Sequence, residues 1–155
     1  MRFEQLYEGQ TFTTEKHLVT LEEMLSFAKN YDPQLLHTDP SFAEKSMFGG
    51  LIASGLLTLS IGWGLFIRAD ILGADSRGGI GMDDIRFLAP VYPGDSLYAE
   101  VAIENLRPSR TKPDLGVITM LFSIKNQHDK PVATCKIIGY VARESAGGNK
   151  GAKKQ

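Results

Sequence analysis

Asp32 and His37 stand five positions apart in the stretch Tyr31-Asp32-Pro33-Gln34-Leu35-Leu36-His37. A carboxylate and an imidazole that converge on one water can manage both proton movements of an addition to carbon. Shortly afterwards Phe48-Gly49-Gly50 makes a Gly-rich corner, and the chain enters its longest apolar run through Ser54-Gly55. An acid–base pair leading into a buried, glycine-started helix suggests a site for an activated acyl group. Each residue also has a purely structural reading. Asp32 before Pro33 suits a turn or a cap, His37 a satisfied half-buried histidine, and Ser60 a helix serine bonded back to its own backbone.

The flanking signals show how such residues would be held. Thr20 is a good N-cap, Glu23 completes a capping-box pattern, and Leu21, Met24, Leu25 and Ala28 fall on one helical face. Pro33 disfavours helical geometry at Asp32, so this helix is expected to end near Asn30 and leave Asp32 on the loop that follows. Thr38-Asp39-Pro40 starts another short helix. Ser54 caps a long helix expected to run through about Leu72 and to close at Gly73. Gly62 and Gly64 cost that helix about 1 kcal/mol each relative to Ala, so something must pack closely against it. Residues 11–19 read as one short strand. From Gly78 onward, alternating segments separated by short polar turns predict consecutive strands. One very apolar helix beside strands in succession is an α+β pattern with an antiparallel sheet. The sheet is large for one helix to cover, so a second subunit is expected against it.

The chain has 155 residues and a net charge of −1, with 43% hydrophobic and 23% charged residues, which fits one ordinary globular domain. Acids and bases are mixed along it, so nothing favours nucleic acid or an anionic membrane surface. The apolar run Leu51 to Ile67 is shorter than the roughly 20 residues of a membrane span, and a buried helix is expected instead. The N-terminus has no apolar signal core, so the cytoplasm is the expected location. One cysteine, Cys135, and three scattered histidines give no metal ligand set. Cys135 reads as a half-buried strand residue. Residues 1–144 form the expected domain, and residues 145–155 a disordered polar tail.

Two segments carry a resemblance to a known family. Asp32-Pro33-Gln34-Leu35-Leu36-His37 resembles the Asp-x-Asn-Pro-x-His motif of the MaoC-like dehydratases and R-specific enoyl-CoA hydratases. Phe48-Gly49-Gly50-Leu51-Ile52-Ala53-Ser54-Gly55 resembles their Phe-Gly-x-x-Ile-x-His-Gly segment. The likeness extends over about residues 5–143. It departs at Tyr31, Gln34, Leu35 and Ser54, where the family pattern has Gly, Asn, Pro and His. The resemblance implies a hot dog fold and reversible hydration of an enoyl-CoA thioester, with no cofactor beyond the CoA of the substrate. By the same resemblance Asp32 and His37 hold the water and the Gly55 N–H receives the oxyanion. Gln34 orients the water or His37, and Ser60 supports the pair. A homodimer or higher homo-oligomer is implied. A hot dog thioesterase and a non-catalytic acyl-CoA-binding module are the alternatives.

Overall fold

In the computed structural model, which describes residues 1–144, short elements precede one long helix and a run of long strands. In chain order they are β1 (Thr11–Thr13), β2 (His17–Leu18), α1 (Leu21–Tyr31), α2 (Leu35–Thr38), α3 (Pro40–Glu44), α4 (Gly55–Arg68), β3 (Ser76–Phe87), β4 (Ser96–Pro108), β5 (Leu115–Lys125) and β6 (Pro131–Ala142). The strands form one antiparallel sheet in the order β1-β4-β5-β6-β3, with β2 also paired to β4. The sheet packs its inner face against α4, as expected of an α+β hot dog fold. The polar tail expected at residues 145–155 lies outside the described residues.

α4 buries most of its length against the sheet and leaves a narrow face, including Leu56, Ser60 and Ile67, exposed. Leu57, Leu59, Ile61, Leu65 and Phe66 are all buried. Phe66 stacks edge-on to Phe122 of β5 at 5.4 Å and contacts Trp63 at 5.9 Å. Each such buried side chain is worth about 1.5–3 kcal/mol. The glycine at position 62 has the expected cause: a Cβ there would lie 2.4 Å from Ile124 Cδ1 on β5. Gly64 is different, since a Cβ there would meet only the Arg68 side chain, 3.2 Å away.

Two expected boundaries change. α4 ends at Arg68, not near Leu72, because Asp70 adopts φ 55° and turns the chain out of the helix. Asp tolerates that left-handed geometry better than most residues, so Gly73 is not needed as the stop. The strand expected over residues 11–19 is broken into β1 and β2. Between them Thr14 is buried, and its hydroxyl accepts from Ala99 N at 2.9 Å in place of a ladder bond.

Candidate active site

The end of α1 sets the position of Asp32. Thr20 caps the helix by accepting from Glu23 N at 3.2 Å, while the Glu23 carboxylate turns to His17 Nε2 at 2.9 Å and leaves the capping box half made. The helix closes with Asp32 N donating to Ala28 O at 2.9 Å. Asp32 then leaves helical geometry before Pro33, and its side chain points away from the helix axis toward the start of α4.

The single turn α2, which no local signal announces, delivers His37. That histidine is buried, and its Nδ1 donates to Ile52 O at 2.8 Å. A carbonyl can only accept, so Nδ1 carries a proton, and in the neutral form of the ring the lone pair lies at Nε2. Nε2 faces Asp32 Oδ2 at 3.4 Å. This is too long for a good direct hydrogen bond and leaves both atoms able to share a third donor.

Residues 51–54 are an extended, buried segment between the corner and α4. Ile52 N donates to Leu36 O at 3.3 Å and Ala53 N to Val91 O at 2.8 Å. Ile52 is therefore bonded through both backbone groups to the turn that holds His37. At the corner, Gly49 takes φ 69°, and Tyr92 Oη donates to Phe48 O at 2.8 Å, which fixes how the segment enters the site.

Asp32 is held at both oxygens. Gln34 Nε2 donates to Oδ1 at 2.8 Å and Ser54 Oγ donates to Oδ2 at 2.7 Å. The Ser54 hydrogen bond is the main reason the Asp32 carboxyl lies below its ordinary pKa. Burial opposes it, while Gln34 and the nearby His37 add to it. Three of the residues expected at the site, Asp32, Gln34 and His37, thus come together. Gly55 is the first residue of α4 and lines the same cleft, and its N–H has no acceptor among the described residues. Ser60 does not join them: its Oγ donates to Leu56 O at 2.8 Å and the side chain is exposed. Ser54 is readable from the sequence as a cap but not as a donor to Asp32. The two are 22 positions apart, and only the fold brings them together.

The cleft occupies about 690 Å³. Its polar end is the Asp32–His37 pair, and its walls include Phe48, Leu56, Phe87, Leu88 and Val132, with buried Thr58 one turn along α4 from Gly55. A Cβ on Gly55 would lie 2.4 Å from the Phe87 ring, so glycine there lets that ring pack against the helix start. A second groove of about 630 Å³ crosses the outer face of the sheet past Glu100 and Lys136, but it contains no histidine. Its lysine is spent on Glu104 at 2.8 Å.

The chain matches the family model of the MaoC like domain over residues 4–121. It belongs to the MaoC-like family. This MaoC-like chain is 36% identical over 132 residues to the uncharacterized protein YdeM of Bacillus subtilis, covering 85% of this chain and 92% of that one. It is 31% identical over 124 residues to the (R)-specific enoyl-CoA hydratase of Aeromonas caviae, covering 79% and 88% respectively. Among solved structures, a MaoC-like dehydratase from Rhodospirillum rubrum superposes with a TM-score of 0.86 at 30% identity, over 93% of this chain and 98% of that one. These likenesses agree with the antiparallel hot dog architecture. Among the described residues, no helix is long and apolar enough to cross a membrane.

Proposed function

We propose that this chain is a hydro-lyase that hydrates an enoyl-CoA thioester reversibly to the 3-hydroxyacyl-CoA, with Asp32 and His37 as the acid–base pair. The observation that carries the reading is the arrangement of two acceptors, His37 Nε2 and Asp32 Oδ2, 3.4 Å apart beside the free amide at the start of α4. A water at the mouth of the pair can donate one proton to each group. As its oxygen bonds to C3, the C2=C3 π electrons move toward the thioester oxygen, and one proton passes to the pair. The same pair then returns a proton to C2, and the thioester carbonyl re-forms. The pair shares its protons, so the two steps belong to it jointly.

The enolate oxygen would be received by the Gly55 N–H, where the α4 dipole favours negative charge. Gln34 supports the pair through Asp32, whose Oδ1 it holds. The apolar walls suit an acyl chain. No step requires a cofactor apart from the substrate's own CoA.

A homodimer fits the exposed edge of the sheet. Among the described residues β3 is paired only to β6, and Ile80, Met82, Phe87 and Leu88 lie exposed on or just after it. An open edge of that length is a template for another strand. Sedimentation equilibrium is expected to show a dimer weakened by Ile80→Lys; a wild-type monomer at micromolar concentration would contradict it.

Activity is tested with crotonyl-CoA and longer, branched and carboxylated enoyl-CoAs by loss of the enoyl absorbance. Turnover of at least one is expected. Release of free thiol without hydration would replace this reading with a thioesterase, and binding without turnover would replace it with a binding module.

A further inference from the structure

The geometry points to Ser54 as a positioning residue that clamps the Asp32 carboxylate to the first turn of α4. Its catalytic consequence rests on the hydration reading above; the clamp itself does not.

Ser54 is completely buried. A serine hydroxyl has one proton to donate and two lone pairs. The proton goes to Asp32 Oδ2 at 2.7 Å, and a lone pair receives Leu56 N at 3.3 Å. One oxygen atom therefore joins the acid to the helix cap. Asp32 needs such a tie, because it sits where α1 ends and its backbone is no longer helical. Ser54 and Gln34 take one carboxylate oxygen each, which stops the group from turning and keeps Oδ2 toward His37 Nε2.

The same contact selects the amide left for substrate. Of the first two N–H groups of α4, that of Leu56 is consumed by Ser54 Oγ and that of Gly55 has no acceptor among the described residues. The clamp thus fixes the proton-moving carboxylate relative to the free amide. In a hydration those two points must lie at opposite ends of the same short acyl fragment. An error of about 1 Å in such a spacing can cost on the order of a hundredfold in rate.

The test uses the full chain and three variants. Ser54→Ala removes both contacts. Ser54→Gly removes the hydroxyl but remains a competent N-cap, since glycine is tolerated at that position far better than alanine. Ser54→Thr keeps the hydroxyl. The Asp32 carboxyl is titrated by NMR on protein carrying ¹³C-labelled aspartate, with Asp32→Asn assigning the signal. The Asp32 titration is expected to move up in Ser54→Ala and Ser54→Gly and to return close to wild type in Ser54→Thr. On the best enoyl-CoA, kcat/KM is expected to fall about tenfold to a hundredfold in the first two variants, mainly in kcat, as befits loss of a hydrogen bond to a charged group.

An unchanged Asp32 titration in Ser54→Gly overturns the clamp. A shifted titration with unchanged kcat/KM overturns its positioning role. Absence of turnover in the wild type counts against the assigned reaction, while the titration still decides the clamp.

Discussion

Asp32→Asn replaces the charge and keeps the shape. The carboxylate accepts from Gln34 Nε2 at Oδ1 and from Ser54 Oγ at Oδ2. The asparagine oxygen can keep the Gln34 bond. Its Nδ2 then faces Ser54 Oγ, which must turn its proton away and accept instead. Two charge-assisted bonds thus become two neutral ones, one of them reversed. A change from charged to neutral hydrogen bonds of this kind costs about 1–3 kcal/mol in all, within the stability of an ordinary domain. The variant should therefore fold and unfold cooperatively, at lower denaturant. Chemistry suffers far more, because an amide cannot take the proton from water. General-base removal typically costs about 10²–10⁴-fold, and that loss is expected in kcat/KM for enoyl-CoA hydration. The paired assays are denaturant unfolding by circular dichroism and steady-state kinetics. Activity within about tenfold of wild type would refute Asp32 as a member of the proton-moving pair. Loss of cooperative unfolding would refute the isosteric argument.

Further expectations concern pH and packing. Asp32 titrates below the 3.8 of a free carboxyl, chiefly through Ser54. A group with a depressed folded pKa stabilises the fold above its unfolded pKa, and that contribution is lost as pH falls through the folded value. The stability difference between wild type and Asp32→Asn should hold from neutral pH to about pH 5 and shrink only below the ordinary carboxyl range; a decline centred near about pH 6 would assign the titration to another group. On α4 the two glycines should behave oppositely on mutation to Ala. Gly62→Ala places a methyl 2.4 Å from the buried Ile124 side chain, which must shift within the core, and overpacking of about 1–3 kcal/mol should exceed the helix gain of about 1 kcal/mol. Gly64→Ala meets only the end of the Arg68 side chain and should stabilise by up to about 1 kcal/mol. Equal effects in thermal unfolding would contradict the contact between α4 and β5.

Features determined by near neighbours are legible in the order of the residues alone. Thr20 and Ser54 sit where a cap must sit, Pro33 ends α1 close to the expected place, and the alternating segments after Gly78 correspond to β3 to β6. The apolar α4 is readable as buried, and Gly62 signals the close approach of the sheet. What escapes such reading depends on contacts between distant segments. Nothing near Ser54 says that its proton goes to Asp32, and nothing near His37 says that Ile52 O selects its tautomer. Ser60 shows the reverse case, because its spacing along the helix suggests a reach toward the pair while its hydroxyl closes on Leu56 O. The stop at Arg68 is not announced by a glycine, because Asp70 itself takes the left-handed turn.

In the proposed reaction one acyl fragment meets Asp32, His37 and the Gly55 amide together. A crystal structure with a non-reactive enoyl-CoA analogue tests it directly. The thioester oxygen is expected within hydrogen-bond distance of Gly55 N, about 3 Å, and C3 against a water shared by Asp32 and His37. An analogue bound with its C3 away from that pair, or with its carbonyl oxygen on another donor, would contradict it.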